Sequence, residues 1–365
     1  MEMDADFEQK TQRLDRVLEQ QSIEELWIGS PENIGWLFGA DTCVYAGSRP
    51  GVGAVRYDGD EFLLLTDNIE ATRLHAEEGL DAIPTETFSW HETSLSEAVA
   101  ERTRSSAGAD FALPGVPNIH LGTVRYPLTA VDIDRSRAIG SDVAQALSRV
   151  CERIQADMTE RVIAGMLRAE LASKGIAAPV VLVGGSQRVQ QYGHFTPRDE
   201  PIGAYAILSV TAQRHGLHIS ASRTVAFDPP AWLQDRHQIA ANIEASAIAA
   251  CNDEDVTTAG EVFEAIKHAY AEYGYSETWR SHHQGGAAGY AGREWIATPD
   301  GNEPVTAPMI YAWNPMVGGA KSEGTVLVDH ETVEDVSLSR DWPTVTGQAV
   351  GYEFEISRPG IQGIQ

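Results

Sequence analysis

"SHHQGGAAGYAGREW", residues 281–295, places two histidines, four glycines and an Arg-Glu step within fifteen positions. Such a stretch suits a metal, a phosphate, or a substrate held without metal. The phosphate reading fails on spacing. "GGAAG" is not GxGxxG and follows a helical pattern rather than a strand, and "VLVGGSQR" (181–188) lacks the Lys-Ser/Thr ending of a phosphate loop. Adjacent residues on a strand point to opposite faces, so His282 and His283 are not expected to act as a ligand pair. Isolated His215 and His218 carry still less signal.

Composition narrows the class. The 365 residues imply two domains, and 42% hydrophobic content is enough for ordinary cores. Against 53 Asp and Glu stand 27 Lys and Arg, a formal net charge of −26, with lysine only at Lys10, Lys174, Lys267 and Lys321. Phosphate backbones need concentrated positive charge, so no nucleic-acid partner is expected. No apolar run approaches the length of a membrane span, and "MEMDADFEQK" lacks the apolar core of a secretory signal; no membrane partner and a cytoplasmic location are expected. The acid-rich, lysine-poor balance resembles cytoplasmic proteins of salt-in halophiles. Cys43, Cys151 and Cys251 lie far apart, neither a disulfide framework nor a CxxC metal site.

Residues 1–140 alternate strand and helix signals. "ELWIGS" reads as a strand, "VGAVRYDGDEFLLLT" as strand, Asp58-Gly59 turn and strand, and "DNIEATRLHAEEG" as a helix closed by Gly79. From 141 to 365 the pattern changes to helix pairs interleaved with strands. "SDVAQALSRVCERI" has apolar positions at Val143, Leu147, Val150 and Ile154. A second helix is expected from "DMTE", with Asp157 and Glu160 at capping-box spacing, ending at Gly175. Further helices fit Gln238–Cys251 and Gly260–Tyr273, the last capped by Thr258 and Glu261. Strand-like runs are "PVVLVGG", "AYAILSVTAQ", "SRTVAF", "MIYAWNP" and "GTVLVD". An α+β domain in two similar halves follows.

In order along the chain, "SPENIGWLFGADT", "GLHISASRT", "QGGAAGYAGRE", "YAWNP" and "KSEGTVLV" resemble the motif series of the pita-bread fold family: aminopeptidase P, prolidase, methionine aminopeptidase and creatinase. The resemblance implies a C-terminal pita-bread domain behind a smaller creatinase-type α/β domain, and a homodimer. It also implies a pair of divalent metals (Mn, Co or Zn) held by two Asp, one His and two Glu. Those five positions are Ser209, Ser220, Gly286, Asn314 and Glu323 here. One carboxylate does not hold two dications, so the expectation is no metal cofactor. Gly286, Ala287 and Ala288 are expected to leave room for substrate instead.

What remains is similar to creatinase, the member that breaks a C–N bond without metal. His194, in "YGHFTP", stands at the substrate-facing histidine. Arg293, in "GRE", stands where creatinase carries a carboxylate-binding Arg. Ser222 replaces its nearby acidic residue. Histidine, with a pKa of about 6.5, moves protons near neutrality, and an Arg fork binds a carboxylate bidentately. Catalytic roles are therefore expected for His194 and Glu323, and substrate contacts for Arg293, Asn314 and Lys321. Glu323 would orient the histidine or receive a substrate cation; Asn314 would donate to an oxyanion. The expected activity is cleavage of a C–N bond in a small carboxylate-bearing amino-acid derivative or short peptide. Two alternatives stand beside it: a pseudoenzyme that binds without turnover, and a metallopeptidase rebuilt on His194, Glu323 and one of His282 or His283.

Overall fold

The computed structural model describes residues 2–329 and 331–364. Its internal contacts divide it into two units, one running to Val131 together with His215–Leu217, the other comprising Asp132–Arg214 and the chain from His218. The first unit contains helices α1 (Glu2–Gln21), α2 (Pro31–Phe38), α3 (Ala71–Glu78) and α4 (Leu95–Arg102). Its strands are β1 (Glu25–Ile28), β2 (Gly53–Tyr57), β3 (Phe62–Asp67), β4 (Thr85–Phe88) and β5 (Ala107–Ala109), in the order β4-β3-β2-β1-β5. β2 and β3 are the antiparallel pair expected around Asp58-Gly59, and Gly59 takes the positive φ (93°) that such a turn demands. Trp27, Leu65, Val99 and Phe111 pack this unit's core.

The second unit begins with α5 (Ala130–Cys151) and α6 (Glu160–Ala172), then β6 (Ala177–Gly185), β7 (Tyr205–Arg214) and β8 (Leu217–Ala226). A second round follows: α7 (Trp232–Cys251), α8 (Ala259–Glu272), β9 (Gly285–Ala288), β10 (Met309–Trp313), β11 (Met316–Val317), β12 (Ala320–Lys321), β13 (Gly324–Val328) and β14 (Val333–Asp335). The chain closes with β15 (Thr344–Gln348), β16 (Glu355–Pro359) and β17 (Ile361–Gly363). Two four-stranded sheets result, β17-β8-β7-β6 and β14-β13-β10-β9, each preceded in sequence by a helix pair. Between β7 and β8 both His215 (φ 52°) and Gly216 (φ 79°) are left-handed, the geometry of a tight hairpin turn. Among the described residues no helix is long and apolar enough to cross a membrane.

The division by contacts falls between Val131 and Asp132, about nine residues before the boundary expected near residue 140 and, like it, inside α5. The early turns of α5 carry buried Asp132, bonded to Tyr290 Oη at 2.6 Å, which breaks the apolar periodicity that would have announced the helix. Asp157 does not cap α6: Thr159 does, accepting from Val162 N, and Glu160 turns inward instead. Its carboxylate accepts from Gly185 N (2.8 Å) and Arg198 N (2.8 Å) and pairs with Arg188. α7 begins at Trp232, not Gln238. The Thr258/Glu261 capping box on α8 forms as the spacing requires.

α7 is the buried axis of the second round, with a near-continuous buried run from Ala240 to Cys251. One charge interrupts it. Glu244, fully buried, pairs with fully buried Arg358 of β16, which also bonds Asp335 at 2.7 Å. The same carboxylate accepts from Ser322 Oγ and from Gly324 N at 3.0 Å. Glu244 therefore grips both neighbours of Glu323. Removing one partner of a buried pair strands the other, so Glu244→Ala is expected to cost about 3–5 kcal/mol of stability, measurable by denaturant unfolding.

Candidate active site

β7 and β8 present alternate residues to one face, and four of these are hydroxyls. Ser209 and Ser222 lie 2.6 Å apart, and Thr211 and Ser220 3.0 Å apart, Oγ to Oγ or Oγ1. Into this face project the charged residues. Lys321 Nζ is 2.8 Å from Glu323 Oε2 and donates to Ser209 Oγ at 3.1 Å. Ser222 Oγ also donates to Glu323. Lys321 and Glu323 reach one side because Ser322, between them, is drawn the other way onto Glu244. Arg293 Nη1 donates to Ser220 Oγ (3.0 Å) and Gly292 O (2.7 Å), while Nη2 stands 3.8 Å from Glu323 Oε1. Glu294 does not pair with it; its Oε1 accepts from Tyr290 N and Ala291 N at 3.0 and 3.1 Å.

Burial disfavours the charge on Glu323, yet Lys321 and Arg293 outweigh it and hold the carboxyl below its usual range. Two cations and one carboxylate leave this buried group one positive charge in excess. Beneath it Arg223 and Arg358 face Glu244 and Asp335, and those four charges cancel. The donor set does not fit a pair of divalent ions. A lysine ammonium already occupies the space between the Ser209 and Glu323 positions, Glu323 is the sole carboxylate of the five, and its Oε2 is taken by Lys321 and Ser222. Among the described residues no hydrogen bond joins His194 to Glu323, so the expected orienting contact is not made.

Two expectations about the 281–295 stretch are overturned. Gly286 leaves no room: a Cβ there would lie 2.1 Å from Trp295 O. The segment after the glycines folds back along β9, with Glu294 N donating to Ala287 O (2.8 Å) and Ala297 N to Gly285 O (2.9 Å), and fills the place of the lost imidazole. His282 and His283 do not diverge. A 3₁₀ turn ends at Ser281 and β9 starts only at Gly285, so strand alternation does not govern them. Their rings stack at 4.7 Å, 18° from parallel, and both meet His194, at 5.1 and 5.7 Å between centroids. His218 instead packs in the interior, Nδ1 3.2 Å from Gly289 O.

Burial, joined by the charge of Lys321, pushes His282 down to about 3; burial and Arg293 push His283 down to about 4. Both rings are uncharged at neutral pH and feel Glu323 as well, so the imidazole group adjoins the buried cations. His194 is exposed and borders two cavities, of about 780 and 530 Å³. The smaller is walled by Phe263, Trp279, His282 and His283. Asn314, bonded through its backbone N to Gln284 O at 3.0 Å, keeps a buried Oδ1 without a hydrogen-bond partner.

With this geometry in hand, comparison with known proteins is informative. Residues 134–333 match the model described as metallopeptidase family M24, and residues 10–113 the creatinase/prolidase N-terminal domain. The chain belongs to metallopeptidase family M24. No curated protein matches it at the level of sequence. The fold is similar to a prolidase from Pyrococcus horikoshii OT3 (17% identity, 91% of this chain and 99% of that one, TM-score 0.73). It is also similar to dipeptidase PepE from Mycobacterium ulcerans (16%, 99% and 99%, TM-score 0.75) and an Xaa-Pro dipeptidase from Bacillus anthracis (14%, 94% and 100%, TM-score 0.73). At these identities the likeness establishes the pita-bread fold. Within the M24 chain, sequence reasoning missed Glu244, Arg358 and the Trp295 carbonyl. The signal for the first was present: a lone carboxylate in the apolar run "IEASAIAA" of 243–250.

Two outcomes test the site. Gly286→Ala is expected to destabilise the fold by about 1–3 kcal/mol or more through the clash with Trp295, read by thermal unfolding. The second concerns pH. His282 and His283 have folded pKa values below the unfolded value of about 6.5, so their contribution is present above that pH and is lost as pH falls toward 4. The drop in melting temperature between pH 7 and pH 5 is expected to be smaller in His282→Asn than in the parent chain.

Proposed function

We propose that this M24 chain hydrolyses a C–N bond in a small carboxylate-bearing amino-acid derivative or short peptide, without the family's metal pair. The observation that carries this is a pair of fixed cations, Lys321 and Arg293, shared over one carboxylate. The surplus positive charge attracts a substrate anion. Arg293 is the group to meet it, because its contact with Glu323 is long and its Nε has no partner. Glu323 and Lys321 hold the charge in place and are positioning residues. His194, exposed on both cavities, takes a proton from an attacking water as its oxygen bonds to the electrophilic carbon, and delivers that proton to the departing nitrogen as the C–N bond breaks. Asn314 Oδ1 accepts from a substrate N–H rather than donating to an oxyanion.

Support for hydrolysis also comes from the relatives, whose names are those of prolidases and dipeptidases. The engagement of Glu323 Oε2 by Lys321 and Ser222 favours a second reading, a pocket that binds the same ligands without turnover, because that oxygen is not free to act as base. The acidic surface calls for work in molar salt, in keeping with a halophilic, cytoplasmic dimer.

A panel of Xaa-Pro dipeptides, N-acyl amino acids and guanidino acids, offered to chelator-treated protein, tests the proposal. Turnover is expected to survive chelation and to fall about 10²–10⁴-fold in His194→Ala. Loss on chelation would overturn the metal-free claim. Saturable binding by calorimetry with no turnover would establish the second reading.

A further inference from the structure

His282 and His283 leave an unmet demand. Both ring nitrogens of His282 and Nδ1 of His283 are buried without any hydrogen-bond partner. Desolvating such nitrogens costs free energy unless something ligates them. The third imidazole is already in place: one ring nitrogen from each of His194, His282 and His283 lies within 4.8 Å of the other two. We infer that these three histidines form a site for a single transition-metal ion of the Zn²⁺, Co²⁺ or Ni²⁺ type.

The local backbone is built for this convergence. A Cβ on Gly193 would stand 2.9 Å from His282 Cδ2, so only glycine lets the loop bring His194 against that ring. Three imidazole nitrogens around a tetrahedral ion lie about 3.4 Å apart, given metal–nitrogen bonds of about 2.0–2.1 Å. Small ring rotations bridge the difference, and exposed His194 is free to make the largest. Three protein ligands leave a fourth position, which faces the cavity walled by Phe263 and Trp279 and is open to water or an anion.

The site is distinct from the family's carboxylate centre in residues and in chemistry. Its donors are all neutral imidazoles, which select borderline-soft ions over Mg²⁺ or Mn²⁺. The nearby surplus charge of Lys321 and Arg293 weakens attraction for any cation. An ion bound here takes the lone pair of His194, so it silences the proton transfer proposed above. The inhibitory consequence rests on that reading; the binding does not.

Tag-free, chelator-stripped protein in molar salt is titrated with Co²⁺ while the visible d–d absorption is followed. One equivalent is expected to saturate an intense band of tetrahedral type, displaced by Zn²⁺ and not by Mn²⁺. His194→Ala, exposed and therefore safe for folding, and His283→Ala are each expected to weaken binding at least tenfold. His91→Ala and His268→Ala, exposed elsewhere, are expected to leave it unchanged. Absence of a saturable band, or equal affinity in His194→Ala, would overturn the site. If Co²⁺ binds at one equivalent and the chelator-stripped protein, assayed without Co²⁺, turns over no substrate, the metal site stands and the hydrolase reading falls. Turnover without Co²⁺ binding gives the reverse.

Discussion

Lys321 Nζ lies 2.8 Å from the carboxylate of Glu323 and 3.1 Å from Ser209 Oγ, with both charged side chains almost wholly buried. An isolated ammonium in such a place would lose its proton or its fold; here the carboxylate and hydroxyl replace water. Everything around it follows from that contact. The serines at 209, 220 and 222 satisfy the polar atoms of Lys321, Arg293 and Glu323, which carboxylates at those positions would have overfilled with negative charge. Lys321 and Arg293 together place the positive charge of this centre over Glu323.

A second layer keeps the contact in register. Glu244 holds Ser322 and Gly324, and Arg358 balances Glu244, so the turn bearing Glu323 is fixed from beneath by a buried ion pair. Such pairs add little net stability over a packed apolar pair, but they punish any arrangement that separates the partners. That suits a centre whose job is to hold charge at a defined place. The histidine cluster lies at its edge and lines open cavities, with His194 bordering two of them.

Much of the fold was legible because strands and helices announce themselves locally. The runs at 205–214 and 324–328 became β7 and β13, and Thr258 with Glu261 capped α8, since alternation, apolar length and capping depend on near neighbours. The charged interior was less legible. Glu160 read as a capping residue, but the 185–198 segment buries it, and Asp132, which no spacing singled out, is buried on Tyr290. Those partners are far away in sequence, and no spacing rule reaches them.

The sequence by itself determined that the chain has the motif order of this family and that Ser209, Ser220, Gly286 and Asn314 carry no acid or imidazole, because residue identity at an ordered position is a local fact. It did not determine what surrounds them. The seating of Lys321 on Glu323, the Trp295 carbonyl against Gly286, and the gathering of His194, His282 and His283 all arise between distant segments. Only the tertiary structure decides those, because distance, burial and hydrogen-bond saturation are properties of the packed chain.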